Sequence, residues 1–324
     1  MPEPLLIYAD PYGHEVDTIG KFKGDFIVGG DRNDFSLDIP ASIGVAKDWY
    51  LMLDGTEFGG IVDGLEIDTS RKFVTATGRT WQGMLQGTVI VPDSEQSHLV
   101  LNGDLNTIIG ALIERQGFSD RMAAPDTPSG FMVANYRIRN RYGYEAICEM
   151  CASVGAKLMF RYDGSIRKCL VYATARGDYV DDGIDGDSVR FKIRDQRLTN
   201  HWLGLGKGEG AARIAVNGYA DAQGNKSLKQ VLFGVRHIME IYDSPSAEKE
   251  DLEEAIEKRR KETQKKLLTC SLKDATSGDY DIGDIVGGRS TQHKISVVTE
   301  IAQKTAKVTP QGIVCTTKTA LEVS

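Results

Sequence analysis

Residues 58–93 read FGGIVDGLEIDTSRKFVTATGRTWQGMLQGTVIVPD, and the fold is decided there. Gly59-Gly60 opens Ile61-Val62-Asp63-Gly64-Leu65-Glu66-Ile67, a mixture of apolar and acidic residues that suits a half-buried strand. Asp68-Thr69-Ser70-Arg71 is short and polar, fit for a reversal. In Phe73-Val74-Thr75-Ala76-Thr77, residues 73, 75 and 77 share one face and 74 and 76 the other. Gly78-Arg79-Thr80 is expected to stop that strand. Thr80 then caps one helical turn carrying Trp81, Met84 and Leu85 at i, i+3 and i+4. Val89-Ile90-Val91 resumes an extended run that Pro92 ends, having no N–H for a ladder. The stretch is a hairpin, a capped turn of helix and an exit strand.

Upstream, Leu5-Leu6-Ile7-Tyr8-Ala9 reads as a first strand and Asp10-Pro11-Tyr12-Gly13 as a turn. Phe35-Ser36-Leu37-Asp38-Ile39 alternates strictly. Trp49-Tyr50-Leu51-Met52-Leu53 runs into Asp54-Gly55, a strong hairpin signal. Residues 1–93 are expected to form one small antiparallel β-barrel, because closure removes exposed edges. Downstream, Leu105, Ile108, Ile109, Leu112 and Ile113 mark an amphipathic helix with Asp104 as cap and Gly117 as stop. Ile147, Met150, Cys151 and Val154 mark a second helix, and a hairpin turns at Asp163-Gly164. Residues 94–178 are thus an α+β insert. The acidic run 181–187 marks a boundary, after which strands are expected at 189–193, 212–219 and 228–242. A long surface helix spans 245–268, acidic residues first and basic ones last, in the order that complements its dipole. Asp284-Ile285-Val286-Gly287-Gly288 echoes Gly59-Gly60-Ile61-Val62, so residues 179–324 are expected to hold a second small barrel. The class is α+β, predominantly antiparallel β.

A chain of 324 residues exceeds the usual single core of about 100–200 residues. Gly, at 35 residues, favours tight turns and a large β component. A net charge of −7 argues against a dedicated binder of DNA or of an anionic membrane. There is no signal-like N-terminus, and no apolar run reaches the ~18 residues of a membrane span. Five scattered cysteines argue against a disulfide framework and for synthesis in a reducing compartment, the cytoplasm.

Candidate chemistry fails motif by motif. Cys148-Glu149-Met150-Cys151 has the spacing of a redox or zinc pair, but Cys169, Cys270 and Cys315 supply no second pair, and it falls where a helix wants small apolar residues. His14, His98, His201, His237 and His293 form no local pair, and His201, between Asn200 and Trp202, suits an ordinary hydrogen-bonding role. Ser165-Ile166-Arg167-Lys168 fits S-x-x-K without companion motifs, on an expected strand. Residues 204–210 resemble a phosphate loop, but Glu209 stands where the last glycine belongs, so a flexible connection is the better reading. Residues 181–187 could wrap calcium, yet the twelfth position is Lys192 where an EF-hand has Glu. Arg137, Arg139 and Arg141 line one face of an apparent strand and suit ion pairing or a subunit contact. No catalytic, cofactor or metal residue is assigned.

The order of hairpin, capped turn and exit strand, with GGIV, TGRTWQGML and VIVP as they stand here, resembles the hub proteins at the tip of bacteriophage tails. The nearest likeness is to the N-terminal part of the tail-associated (Tal) proteins of siphophages and prophages, relatives of the myophage baseplate hub. It returns at Asn200-His201-Trp202-Leu203-Gly204-Leu205-Gly206-Lys207-Gly208-Glu209, at Tyr219-Ala220-Asp221 with Gly224-Asn225, and at Tyr280-Asp281-Ile282-Gly283-Asp284-Ile285-Val286-Gly287. The resemblance implies a structural virion protein of the tail tip, a homotrimer whose barrels ring the distal end of the tail tube. Two barrels per protomer would present six similar units to a sixfold tube. It also implies a distal tail protein and tail tube above, tape measure or tail-tip and fibre proteins below, and phage DNA passing without specific binding. Members that digest cell wall carry their hydrolase on a C-terminal extension, and this chain stops at Ser324, so no enzyme activity is expected. A lumen that lets DNA slide should be acidic or neutral, with Asp63, Glu66 and Asp68 as candidate lining and the three arginines on outer or intersubunit surfaces. The rival readings are a cell-wall hydrolase or peptidase and a receptor- or carbohydrate-binding tail-tip module. The first needs a dyad assembled from distant residues, the second an exposed aromatic cluster in a concave site.

Overall fold

Leu6–Ala9 (β1) and Glu15–Ile19 (β2) pair antiparallel across a turn in which the Asp10 carboxylate accepts the N–H groups of Tyr12 and His14, each at 2.9 Å. Lys23–Gly29 (β3), Asp34–Pro40 (β4), Tyr50–Leu53 (β5), Gly59–Ile67 (β6) and Phe73–Thr80 (β7) follow. The β6–β7 backbones approach so closely that a Cβ at Gly60 would stand 1.9 Å from Arg79 O, and one at Gly78 1.9 Å from Ile61 O. Only glycine fits at either place. β7 therefore runs through Gly78 instead of stopping there. Thr80 ends it and caps α1 (Trp81–Gln86), its hydroxyl accepting Gly83 N–H at 3.3 Å. The computed structural model describes residues 4–180, 189–193, 198–222, 224–265, 268–272, 280–290 and 295–320.

After Val89–Ile90 (β8) and Leu99–Asp104 (β9), the Asp104 carboxylate caps α2 (Leu105–Arg115) through Asn106 N–H and also takes the N–H groups of Ser129 and Gly130. Met122–Ala123 (β10), Met132–Ile138 (β11), Arg141–Tyr142 (β12) and α3 (Gly143–Ala152) lead to the hairpin of Ala156–Asp163 (β13) and Lys168–Ala175 (β14), then Asp178–Tyr179 (β15). The helices between 94 and 178 close no core of their own. Ile109, Leu112, Ile147 and Met150 share one cluster with Trp81 and Leu85 of α1 and with Ala9, Tyr50 and Met52 of β1 and β5. The cause is that β1 and β5 are apolar at almost every position. Their alternate residues Leu6, Tyr8, Leu51 and Leu53 face a second core with Phe26, Phe35, Leu37, Val62, Ala306 and Val308. Each large side chain so buried contributes roughly 1.5–3 kcal/mol.

The chain divides into two compact units, one drawn from Met1–Ser188 and Leu272–Ala320, the other from Val189–Ser271. In the second unit Val189–Ile193 (β16) pairs with Leu268–Leu272 (β21). His201–Leu205 (β17), Ala215–Ala220 (β18), Lys226–Ser227 (β19) and Met239–Asp243 (β20) make a four-stranded sheet of order β19-β18-β17-β20, with α4 (Lys249–Lys265) against one face. A Cβ at Gly218 would lie 2.3 Å from Ile256 Cγ2, so glycine lets α4 settle on the sheet beside Trp202. The strand expected over 228–242 is mostly irregular. β20 pairs parallel to β17, and a parallel pair needs a long crossover. Leu228 to Ile238 supplies it, with a 3₁₀ turn at Gly234–Arg236.

The first unit resumes with Ile285–Ser290 (β22), Ile295–Thr309 (β23) and Gly312–Thr319 (β24). They join an eleven-stranded sheet of order β15-β22-β23-β3-β4-β7-β6-β5-β1-β2, with β24 on β23; every pairing is antiparallel except β15 with β22. The sheet curls around the second core, since Ile19 of β2 and Val308 of β23 lie in the same cluster. It does not close. The barrel expected of residues 1–93 is thus an open sheet completed by the C-terminal strands, and among the described residues 179–324 form no second barrel. β23, at fifteen residues, is long enough to pair with β22, β24 and β3, and it spends that length on the first sheet.

Candidate functional site

The densest polar construction in the first unit is a buried ionic clasp. Lys157, on β13, sends Nζ to Asp284 Oδ1 at 2.7 Å and to Asp281 Oδ2 at 3.0 Å. Lys304, on β23, donates to Asp281 Oδ1 at 2.7 Å and to Glu57 Oε1 at 2.8 Å. Asp284 is fully buried, and its carboxylate also accepts Gly177 N–H at 2.7 Å and Asp281 N–H at 2.8 Å. Arg176 reaches Gly283 O and Glu300. The tight turn 281–284 places both aspartates on one point, and β13 and β23 deliver a lysine from either side.

Burial alone would depress Lys304, but Glu57 and Asp281 outweigh it and hold the ammonium above its ordinary range. Lys157 is likewise pulled down by burial and raised on balance by Asp284 and Asp281. Burial pushes Asp281 up, and the two lysines bring it below the usual carboxylate range. An amine held more basic than usual is no nucleophile at neutral pH. The clasp ties chain segments together. Beside it lies a cavity of about 290 Å³ lined by Tyr144, Cys148, Leu158, Arg176, Ile282 and Ile301 among others.

Cys148 and Cys151 sit on α3, turned to the core. Burial raises the Cys148 thiol and pushes Cys151 up to about 12, so neither offers a thiolate near neutrality. Ser165 lies in the β13–β14 turn instead of on a strand, its hydroxyl donating to Asp163 at 2.5 Å, while Lys168 donates to Ser119 O. Arg137, Arg139 and Arg141 form no single row: β11 ends at Ile138, Asn140 takes a left-handed φ of 48°, and Arg141 belongs to β12, paired with Glu149. Asp63 sits at a β6 bulge and takes Arg79 N–H, Nε and Nη2 at 3.0, 2.8 and 2.8 Å. Asp68 caps its own turn through Ser70, and Glu66 is exposed. The acidic run 181–187 and His293 lie outside the described residues. Among those described, no three acidic, histidine or cysteine side chains gather as a metal site, and no helix is long and apolar enough to cross a membrane.

In the second unit the glycine-rich run is no flexible connection. Gly206 N–H bonds Ile214 O at 2.8 Å, Lys207 N–H bonds Ala247 O at 3.0 Å, and Lys207 Nζ meets Glu248 at 2.9 Å. His201 stands 2.9 Å from His237 through Nδ1 and Nε2, with its own Nε2 donating to Asn217 Oδ1 at 2.8 Å. Sequence spacing hides this pair, because the parallel register of β17 and β20 creates it. Trp202, next along β17, is 1% exposed, and its indole N–H has no acceptor among the described residues.

No family model and no curated protein matches the sequence. Among solved structures, the chain is similar to the 43 kDa tail protein of prophage MuSo2 from Shewanella oneidensis (TM-score 0.48, 13% identity, 98% of each chain covered). It is also similar to prophage tail protein gp18 from Listeria monocytogenes EGD-e (0.47, 13%, 98% of this chain and 95% of that one). A third is the tail protein from Neisseria meningitidis MC58 (0.46, 11%, 98% and 96%). These three solved structures are of tail proteins, two of them from prophages.

Proposed function

We propose that this protein is a structural hub of a phage or prophage tail: a homotrimeric ring that closes the distal end of the tail tube, joins it to the tail tip and gates the passage of DNA. The reading rests on the run from β6 through Thr80 and α1 to β8, whose GGIV, TGRTWQGML and VIVP segments resemble the tail-associated hub proteins, with further matching segments in order at 200–209, 219–225 and 280–287. Each protomer brings two β domains, giving six around a threefold axis. The distal tail protein and tube lie above, tape measure or tip proteins below, and the protein is made in the host cytoplasm before joining the virion. The work done is binding and gating, without a chemical step. Sedimentation of the purified chain with negative-stain images tests this: a threefold ring with a central hole is expected. A monomer at all concentrations, or turnover of peptidoglycan that depends on one residue, would overturn it.

A further inference from the structure

The cavity beside the clasp lies wholly within the first unit, among α3, the start of β13, the turn 281–284 and β23. Its wall is mostly apolar, with Leu158 and Ile301 buried and Ile282 half-buried. At about 290 Å³ it stands at the lower end of ligand-sized cavities, ~300–1,000 Å³. It has room for one long side chain and not for a folded element.

The mouth is acidic. Glu145 and Glu149 stand one turn apart on α3, both exposed, and exposed Glu300 joins them from β23. The cations in the lining are already committed: Lys157 to Asp281 and Asp284, Arg176 to Gly283 O and Glu300. Arg141 Nη2 holds only Oε1 of Glu149, and Arg176 Nη2 only Oε2 of Glu300. Each of these carboxylates keeps one oxygen with no donor among the described residues, and Glu145 has no hydrogen bond or ion pair among them at all. Burial pushes the Cys148 thiol in the lining up, and Cys151, Glu300 and Glu149 push it further, against a hydrogen bond with Tyr144 alone. The negative potential of the mouth thus reaches the wall. An apolar wall under an acidic mouth suits a side chain with an apolar stem and a cationic head. Arginine suits it better than lysine, because its planar fork offers five N–H groups to several carboxylates and is more weakly hydrated than an ammonium.

We propose that this cavity is a docking site for an arginine side chain of another polypeptide, its stem against Leu158, Ile282 and Ile301 and its guanidinium between Glu145 and the free oxygens of Glu149 and Glu300. The inference stands on the geometry of the first unit and does not depend on the ring. Glu145 also stands in the first turn of α3, where a carboxylate suits the helix dipole, and the experiment separates the two roles.

The full chain, labelled with ¹³C at the isoleucine δ1 methyls, is titrated with an acetylated, amidated seven-residue peptide of glycine and serine carrying a central arginine. The Ile282 and Ile301 methyl signals should move and saturate. A norleucine-centred peptide, which keeps an apolar stem and removes the charge, should bind roughly tenfold more weakly. Glu145→Gln, an exposed change with no partner to lose, should weaken the arginine peptide roughly fivefold, the loss of one partly exposed ion pair. A role in the helix alone would instead lower the urea midpoint and leave binding as it was. Four results overturn the proposal: neither methyl responding at millimolar peptide, equal binding of the arginine and norleucine peptides, equal binding by Glu145→Gln and wild type, or methyl signals that move on dilution without peptide, which assigns the cavity to a second copy.

Discussion

The indole of Trp81 lies 6.1 Å from the ring of Tyr162 and within 3° of parallel to it, with Tyr50 stacked on it as well, 6.1 Å between centroids. One side chain thus joins α1, β13 and β5. Trp81→Ala is expected to cost about 3–5 kcal/mol. Because both cores meet through β1 and β5, hydrogen exchange should show α3 and β6 losing protection together. Loss confined to α1 would refute a shared core.

Lys304→Met leaves the largely buried Glu57 without a counter-charge and Asp281 with Lys157 alone, and should destabilise the protein by roughly 3–5 kcal/mol in urea. Adding Glu57→Gln should recover part of that loss. A single variant within about 0.5 kcal/mol of wild type, the range of an unremarkable surface change, would mean that water already screens the clasp.

The clasp also sets a pH window. Asp281 is held below its unfolded value of ~3.9, so its contribution is present above that pH and is lost as pH falls through the folded value. Lys157 and Lys304 are held above their unfolded ~10.4, so theirs is present below that pH and is lost as pH rises through the folded values. Urea midpoints of wild type should fall as pH drops below the unfolded carboxylate value of about 3.9. Asp281→Asn should start lower at neutral pH and show a shallower acid limb. Parallel limbs would remove Asp281 as the cause.

Gly218→Ala puts a methyl group into Ile256 and should lift α4 from the sheet, raising exchange rates of the α4 amides. Ile256→Ala in the same chain reopens the space and should restore much of their protection. Failure of that rescue would place the strain elsewhere.

Local signals carried well from sequence to structure. The Thr80 cap, the Asp104 cap and the inward cysteines of α3 were legible because each rests on residues within about one turn of one another. What stayed hidden has long sequence separation. β23 finds β3 some 270 residues earlier, so the first sheet looked able to close alone. Lys157 meets Asp281 and Asp284 across more than 120 residues, and neither neighbourhood reads as a charge pair. His201 and His237 are joined by a parallel register, which leaves no spacing rule to read. Leu228, Phe233 and Val235 misled for another reason: apolar residues in a crossover mimic a strand, and all three are exposed.

The first unit is interrupted and resumed at almost one point. Asp178 and Tyr179 pair with Ile285 and Val286, and the Tyr179 and Tyr280 rings meet edge to face at 4.9 Å. A short linker from Val180 to Tyr280 would therefore bridge neighbouring ends, and the shortened protein should fold with its eleven-stranded sheet intact. The same junction makes residues 189–271 an exchangeable cassette: a lineage could replace that module wholesale, by recombination at two nearby breakpoints, without disturbing the host domain.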